Sequence, residues 1–106
     1  MRAKTGHAVL EHELLAEQAA TITRLAEALR NALDALAGFE QRPSTAKMSA
    51  ERRALKRSLL VDAAAEALWH FVVQRDCAGF RFTEQALEEF AVPAEVRAKL
   101  GAIRPR

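Results

Sequence analysis

The sequence predicts an all-α fold, and three observations lead to that prediction. Half of the 106 residues are apolar and 28% are charged, a balance that is typical of a folded globular chain. Alanine is frequent, whereas tyrosine is absent and aromatic residues make up only 6%, and this composition favours helices over strands. Apolar residues also recur with helical periodicity over two long segments. A chain of this length suits one helical domain, residues 1–106.

The first long helix is predicted from about His7 to Ala37. Thr5 is expected to cap its start, because a hydroxyl can accept a hydrogen bond from a free amide of the first turn. Gly38 follows the last periodic residue and is expected to end the helix in the left-handed C′ conformation. Apolar residues recur at intervals of seven and form a coiled-coil-like seam. The seam consists of Ala8, Leu15, Ile22, Leu29 and Leu36.

The second long helix follows one clear break in the pattern, residues 40–47. Pro43 lies in this break and disfavours a helical conformation at the residue before it. Ser44 or Ser49 is expected to cap the second helix, which should run to about Ala78 and stop at Gly79. A short connection between two long helices predicts an antiparallel hairpin.

Two short helices are predicted after the hairpin. Thr83 should cap one that runs through about Phe90, and Pro93 fits the first position of a last helix through Leu100, ended by Gly101. We expect both helices to fold back and cover part of the second long helix near Trp69 and Phe71.

The second long helix is apolar over most of its circumference, so it must be covered on more than one side. The short C-terminal helices cannot cover its whole length, and large exposed apolar patches are rare on monomers. The sequence therefore predicts a homodimer in which two hairpins form a four-helix bundle. The candidate interface residues are Leu60, Ala64, Leu68, Trp69, Phe71 and Val72.

Positive charge is concentrated in one short segment. Residues 41–57 hold six basic side chains and one acidic side chain, although the net charge of the whole chain is only +2. Such a cluster can attract the phosphates of nucleic acid, but no aromatic residue interleaves it to stack on bases. An ordinary solvated turn, with its arginines paired to nearby acids, is the alternative. The candidate anion-binding residues are Arg42, Arg52, Arg53, Lys56 and Arg57.

A metal site has weaker support. Glu66 and His70 are four residues apart and share a helix face, and Glu17 on the first helix is expected to lie near them in an antiparallel hairpin. The alternative is a solvated polar stripe with a Glu–His contact inside one helix. No full set of ligands is visible, so no metal and no cofactor is predicted.

Catalytic motifs are missing from the sequence: it has no glycine-rich phosphate loop, no His-Glu-x-x-His and no Cys-x-x-Cys. The single cysteine, Cys77, is expected to be a small buried apolar residue. No uncharged stretch approaches the roughly 20 residues that span a bilayer. These absences predict a cytoplasmic protein that is not an enzyme and has no membrane partner.

Two segments of the chain resemble a family. Residues 62–69 read Asp-Ala-Ala-Ala-Glu-Ala-Leu-Trp, and residues 87–97 read Leu-Glu-Glu-Phe-Ala-Val-Pro-Ala-Glu-Val-Arg. Together they resemble a group of small all-helical bacterial proteins of unknown function. The resemblance implies a bacterial origin and a helical fold, and it implies no activity and no site residue.

Three classes of function remain open from the sequence. The first is a non-enzymatic helical interaction or structural protein that acts as a homo-oligomer, with a further protein partner as an option. The alternative is a nucleic-acid-binding helical hairpin that uses the basic segment 42–57. The third is a metal-binding helical bundle.

Overall fold

The computed structural model describes residues 2–43, 48–80 and 83–103, and within them the chain forms four helices joined by short turns. These are α1 (Arg2–Gln41), α2 (Ala50–Cys77), α3 (Thr83–Glu89) and α4 (Ala94–Ile103). The predicted all-α fold with two long and two short helices is confirmed.

Helix α1 is longer than predicted at both ends. It begins at Arg2, so Thr5 lies inside the helix and the predicted cap is wrong. It also continues through Gly38 to Gln41, because Phe39 extends the buried stripe of the helix. The guanidinium of Arg53 donates hydrogen bonds to the carbonyl oxygens of Phe39, at 3.3 Å, and Arg42, at 3.0 Å. These bonds satisfy carbonyl groups that a helix end leaves without partners.

Helix α2 has the boundaries that the sequence predicts. Ser49 caps its start, and the Ser49 hydroxyl accepts the backbone N–H of Arg52 at 3.2 Å. The other predicted cap, Ser44, lies outside the described residues. At the other end Gly79 has a φ of 89°, and the N–H of Phe80 reaches back to the carbonyl of Arg75 at 2.9 Å. This is the hydrogen-bond pattern of a Schellman motif, in which glycine is favoured.

Helices α1 and α2 form the predicted antiparallel hairpin. Glu40, near the end of α1, contacts Arg57 near the start of α2, while Gln18 lies beside Ala78 just after the end of α2. Helix α4 packs on α2, and one apolar core joins all four helices. Its buried members are Leu29, Leu33, Leu36, Val61, Ala64, Ala65, Leu68, Phe71, Val72, Ala86, Leu87, Val92, Val96 and Leu100.

The short C-terminal helices cover the second long helix where the sequence places them. The rings of Phe71 and Phe90 meet edge to face, with centroids 5.2 Å apart. Pro93 lies just before α4, and its carbonyl accepts the N–H of Arg97 at 3.0 Å. Helix α4 continues past Gly101 to Ile103, so the predicted end of this helix is wrong.

Helix α1 extends well beyond the hairpin. It has 40 residues and α2 has 28, and the molecule measures 72 × 28 × 20 Å. Because Leu15 and Gln18 lie beside Ala78, the residues that precede them project past the end of α2. Every side chain from residue 6 to residue 17 is exposed. We call residues 6–17 the overhang.

The predicted seam is therefore buried only over its second half. Leu29 and Leu36 are buried, Ile22 is half-buried, and Ala8 and Leu15 are exposed in the overhang. The seven-residue repeat correctly marks the inner face of α1, but α2 is too short to cover all of it.

Candidate functional site

Large apolar side chains are exposed at both ends of the rod. Among the described residues, seven are exposed by half or more. Four lie on the overhang, two lie on the first turns of α2 at the opposite end, and one follows α2. They are Val9, Leu10, Leu14 and Leu15, then Leu55 and Leu59, and finally Phe80.

The overhang combines this apolar surface with negative charge. Leu10 and Leu14 lie one helical turn apart, and Glu13 and Glu17 repeat the same spacing beside them. Residues 6–17 contain three glutamates and no lysine or arginine. One of them, Glu11, contacts the imidazole of His7 at 3.0 Å on the exposed surface. The overhang is thus an acidic helix segment with an uncovered leucine pair.

A groove begins where the overhang leaves the hairpin. It has a volume of about 350 Å³, and the half-buried Ile22 is among its lining residues. Leu15 and Phe80 also line it, and both are exposed. Apolar side chains of the overhang and of the residue that follows α2 therefore border one groove.

The opposite end of the molecule carries a second apolar groove, with a volume of about 380 Å³. We call it the tip surface, because it lies where the chain turns from α1 into α2. Leu55 and Leu59 are again one helical turn apart, and Arg52 and Lys56 repeat that spacing beside them. The tip surface consists of Met48, Arg52, Leu55, Lys56 and Leu59.

Two of the five predicted anion-binding residues already have partners within the chain. Arg57 forms ion pairs with Glu40 at 2.7 Å and with Glu95 at 2.6 Å, and so joins α1, α2 and α4. The hydrogen bonds that Arg57 donates to Glu95 hold the pKa of the Glu95 carboxyl below its ordinary value, and the bonds that Arg57 donates to Glu95 and Glu40 raise its own pKa. Arg53 closes the end of α1, as described above, and lies over the ring of Phe39 with its guanidinium carbon 4.6 Å from the centroid.

The other three predicted cations, Arg42, Arg52 and Lys56, are exposed. Within the described part of the chain no ion pair involves them, and Lys56 Nζ lies 5.6 Å from the centroid of the Phe39 ring. The structure therefore divides the basic segment into structural arginines and accessible cations. Two of the accessible cations belong to the tip surface.

Most of the predicted oligomer interface lies inside the single chain. Ala64, Leu68, Phe71 and Val72 are buried in the core, and Leu60 is half-buried against it. These side chains pack against α1 and the C-terminal helices, and none of the five is exposed. Dimerisation into a four-helix bundle stays a prediction. Trp69 is also half-buried, and its indole Nε1 is shielded from solvent without a hydrogen-bond partner within the described chain.

The three metal candidates are not brought together. Glu66 and His70 are exposed, with 3.7 Å between Oε1 and Nε2. Glu17 is in register with the residues around Ala78, about twelve helix residues or roughly 18 Å beyond Glu66. In the part of the chain that the structure describes, no three His, Cys, Asp or Glu side chains are placed to hold a metal ion.

Two further observations bear on the sequence predictions. Cys77 is exposed, so the expectation of a buried cysteine is wrong. Among the described residues, no helix is both long enough and apolar enough to cross a membrane. The cytoplasmic location and the bacterial origin stay predictions.

Neither the seven-residue repeat nor the basic segment indicates Leu10, Leu14, Leu55 or Leu59. Leu55 and Leu59 lie four residues apart on the side of α2 away from the buried Val61, and Leu10 and Leu14 repeat this spacing outside the seven-residue seam of α1. The exposure of the α2 pair becomes visible once the buried face of α2 is known, and that of the α1 pair once α2 is seen to end beside Gln18.

Comparison with known proteins gives one result. The model of a family of unknown function, DUF6665, matches residues 1–106. No curated protein and no solved structure matches the chain.

Proposed function

The chain belongs to DUF6665, a family of unknown function, and since the family supplies no activity, we propose from the chain's own surfaces that it is a non-enzymatic helical interaction protein that self-associates. The observation that supports this proposal is the exposure of two leucine pairs, Leu10 with Leu14 and Leu55 with Leu59, at opposite ends of the rod. Large contiguous apolar patches on a soluble chain mark interaction sites. Helix faces of this kind are bound by other helices.

The proposed assembly differs from the four-helix bundle that the sequence predicts. That bundle would use the face of α2 around Leu68 and Phe71, which the chain itself covers. The exposed leucine pairs instead support a contact at the ends of the rod. A homodimer stays the smallest species that we propose.

The mass in solution tests this proposal. Multi-angle light scattering should be recorded over a range from about 1 to several hundred micromolar, with a reducing agent because Cys77 is exposed. We expect a mass that rises with concentration above the 11.7 kDa of one chain. A mass that stays at 11.7 kDa throughout would overturn the proposal.

A leucine variant identifies the surface responsible for association. Leu10→Ser/Leu14→Ser removes the apolar pair of the overhang, where no packing within the chain is lost. We expect this variant to associate more weakly. The matched control is Ala20→Ser/Ala28→Ser, which introduces the same residue type at exposed positions of the same helix outside the overhang and should leave association unchanged.

The second candidate function is nucleic-acid binding through the basic segment. It is supported by the exposure of Arg42, Arg52 and Lys56. It is weakened by the partners that Arg53 and Arg57 have within the chain. Retention on heparin at low salt tests it, because each released counterion steepens the dependence of affinity on salt. A chain that elutes without retention would remove this candidate.

A further inference from the structure

We propose that the overhang of one copy docks on the tip surface of a second copy, so that the chains associate head to tail. This inference rests on the proposed function and specifies its contact. Each surface offers a leucine pair one helical turn apart, Leu10 with Leu14 and Leu55 with Leu59, and each spans about three helical turns.

The two surfaces cannot cover each other within one chain. The overhang lies beyond the last turn of α2, and the tip surface lies on its first turns. The molecule is 72 Å long, and its two ends are held apart by the packed hairpin. A surface that covers either apolar pair with the other must therefore come from a second copy of the chain.

Charge selects the occupant of each surface. Residues 6–17 hold Glu11, Glu13 and Glu17 and no lysine or arginine, although Arg2 and Lys4 precede them in the sequence, whereas Arg52 and Lys56 flank the leucines of the tip surface. Packing two overhangs together would bring six carboxylates into one contact, and packing two tip surfaces would bring cations together. Complementary potentials favour the mixed contact, and like charges oppose the other two.

The shape of the chain leaves room for this contact. Among the described helices none packs beside α1 over the overhang, because α2 ends beside Gln18. A helix from a second copy can lie against Leu10 and Leu14 without displacing any packed residue. The core of that second copy is undisturbed as well, since its Leu55 and Leu59 point away from the buried Val61 and Leu68.

A contact between two different surfaces of identical chains does not close on itself. Every added copy leaves one free overhang and one free tip surface, so association continues beyond the dimer unless a ring closes. The average mass should therefore rise past two chains with increasing concentration. It should fall when salt screens the charges.

Charge reversal tests the pairing. The overhang variant is Glu11→Lys/Glu13→Lys/Glu17→Lys, and the tip variant is Arg52→Glu/Lys56→Glu; all five side chains are exposed. We expect each variant alone to weaken association at least about tenfold at low salt, which is about 1.4 kcal/mol. Carrying both sets in one chain, or mixing the two variants in equal amounts, should restore it, because opposite charges then face each other again.

The controls separate this contact from a general effect of charge. Glu27→Lys/Glu88→Lys/Glu89→Lys changes the net charge as much as the overhang variant does, at exposed positions outside both surfaces. This variant should associate like the parent. Unchanged circular dichroism in all variants shows that the helices are intact.

Each other outcome overturns a stated claim. If the tip variant associates like the parent while the overhang variant does not, the contact joins two overhangs and head-to-tail docking is wrong, although the proposed function stands. If the combined variant and the mixture both fail to recover, charge pairing between the two surfaces is wrong. If the parent chain is monomeric at every concentration, the proposed function and this inference fall together.

Discussion

Replacing Leu29 by alanine tests the idea that the seven-residue seam is buried only where α2 covers it. Leu29 is 0% exposed in the centre of the core. The substitution removes three carbon atoms, worth about 0.8 kcal/mol each in transfer free energy, or about 2.4 kcal/mol. The cavity that remains adds to this cost, and replacing a buried leucine by alanine typically lowers the free energy of unfolding by about 2–5 kcal/mol. We expect about 3 kcal/mol.

Leu15 is the matched control, because it occupies the same position of the repeat two heptads earlier and is 63% exposed. Leucine and alanine have similar helix propensities, and surface substitutions usually change stability by less than about 0.5 kcal/mol. The same chemical change in the same seam should therefore have very different effects. The difference measures how far the cover provided by α2 extends along α1.

Urea unfolding followed by circular dichroism measures both costs. The protein concentration must be low enough that light scattering shows single chains, so that association does not contribute. With a slope of about 1.5 kcal/mol per molar urea, Leu29→Ala should lower the midpoint by about 2 M, and Leu15→Ala should leave it nearly unchanged. Equal shifts in the two variants, or a loss below about 1 kcal/mol for Leu29→Ala, would refute the packing described here.

Two further predictions concern helix ends and pH. Gly79 and Ala91 both have positive φ, 89° and 52°. Gly79→Ala should therefore lower the free energy of unfolding by about 1 kcal/mol, and Ala91→Gly should raise it, as measured by urea unfolding. Changes of the same sign in both variants would show that backbone strain does not decide the stability of these two helix ends. The hydrogen bond from Arg57 lowers the pKa of Glu95 below its ordinary 4.5. The stability that this ion pair contributes is therefore complete above pH 4.5 and is lost as the pH falls through the lower pKa of the folded state. The stability difference between the parent and Glu95→Gln should be largest near pH 7 and should shrink as the pH falls below 4.5. A difference that does not depend on pH would contradict this assignment.

The fold class and the hairpin could be predicted because they depend on local signals. Ser49 and Gly79 have side chains or backbone freedom that specific helix-end positions require, and the structure uses both. The end of α1 could not be predicted in this way. Gly38 gave the local signal for a helix end, but the burial of Phe39 and the hydrogen bonds from Arg53 decide it from a distance in sequence.

The candidate surfaces were harder to predict than the fold, because exposure depends on which elements pack together. The apolar face of α2 around Leu68 looked available for a partner, but α1 and the C-terminal helices cover it. In the same way, the basic segment gives no indication that Arg57 joins two glutamates from other helices while Lys56, one residue earlier, has no ion pair within the described residues. Charge and periodicity identify the residues, and tertiary packing decides which of them remain accessible.

The unequal lengths of α1 and α2 have a consequence for hydrodynamic measurements. The radius of gyration is 18.5 Å, whereas a compact chain of this length has a radius of about 13 Å. By the same scaling, 18.5 Å is the radius of a compact chain of roughly 270 residues. A single copy should therefore elute from a gel-filtration column calibrated with globular standards earlier than a compact chain of the same mass, at an apparent mass above 11.7 kDa. The elution volume alone would therefore overestimate the mass, because the overhang makes the molecule longer without adding subunits. Only a measurement that does not depend on shape can give the number of chains.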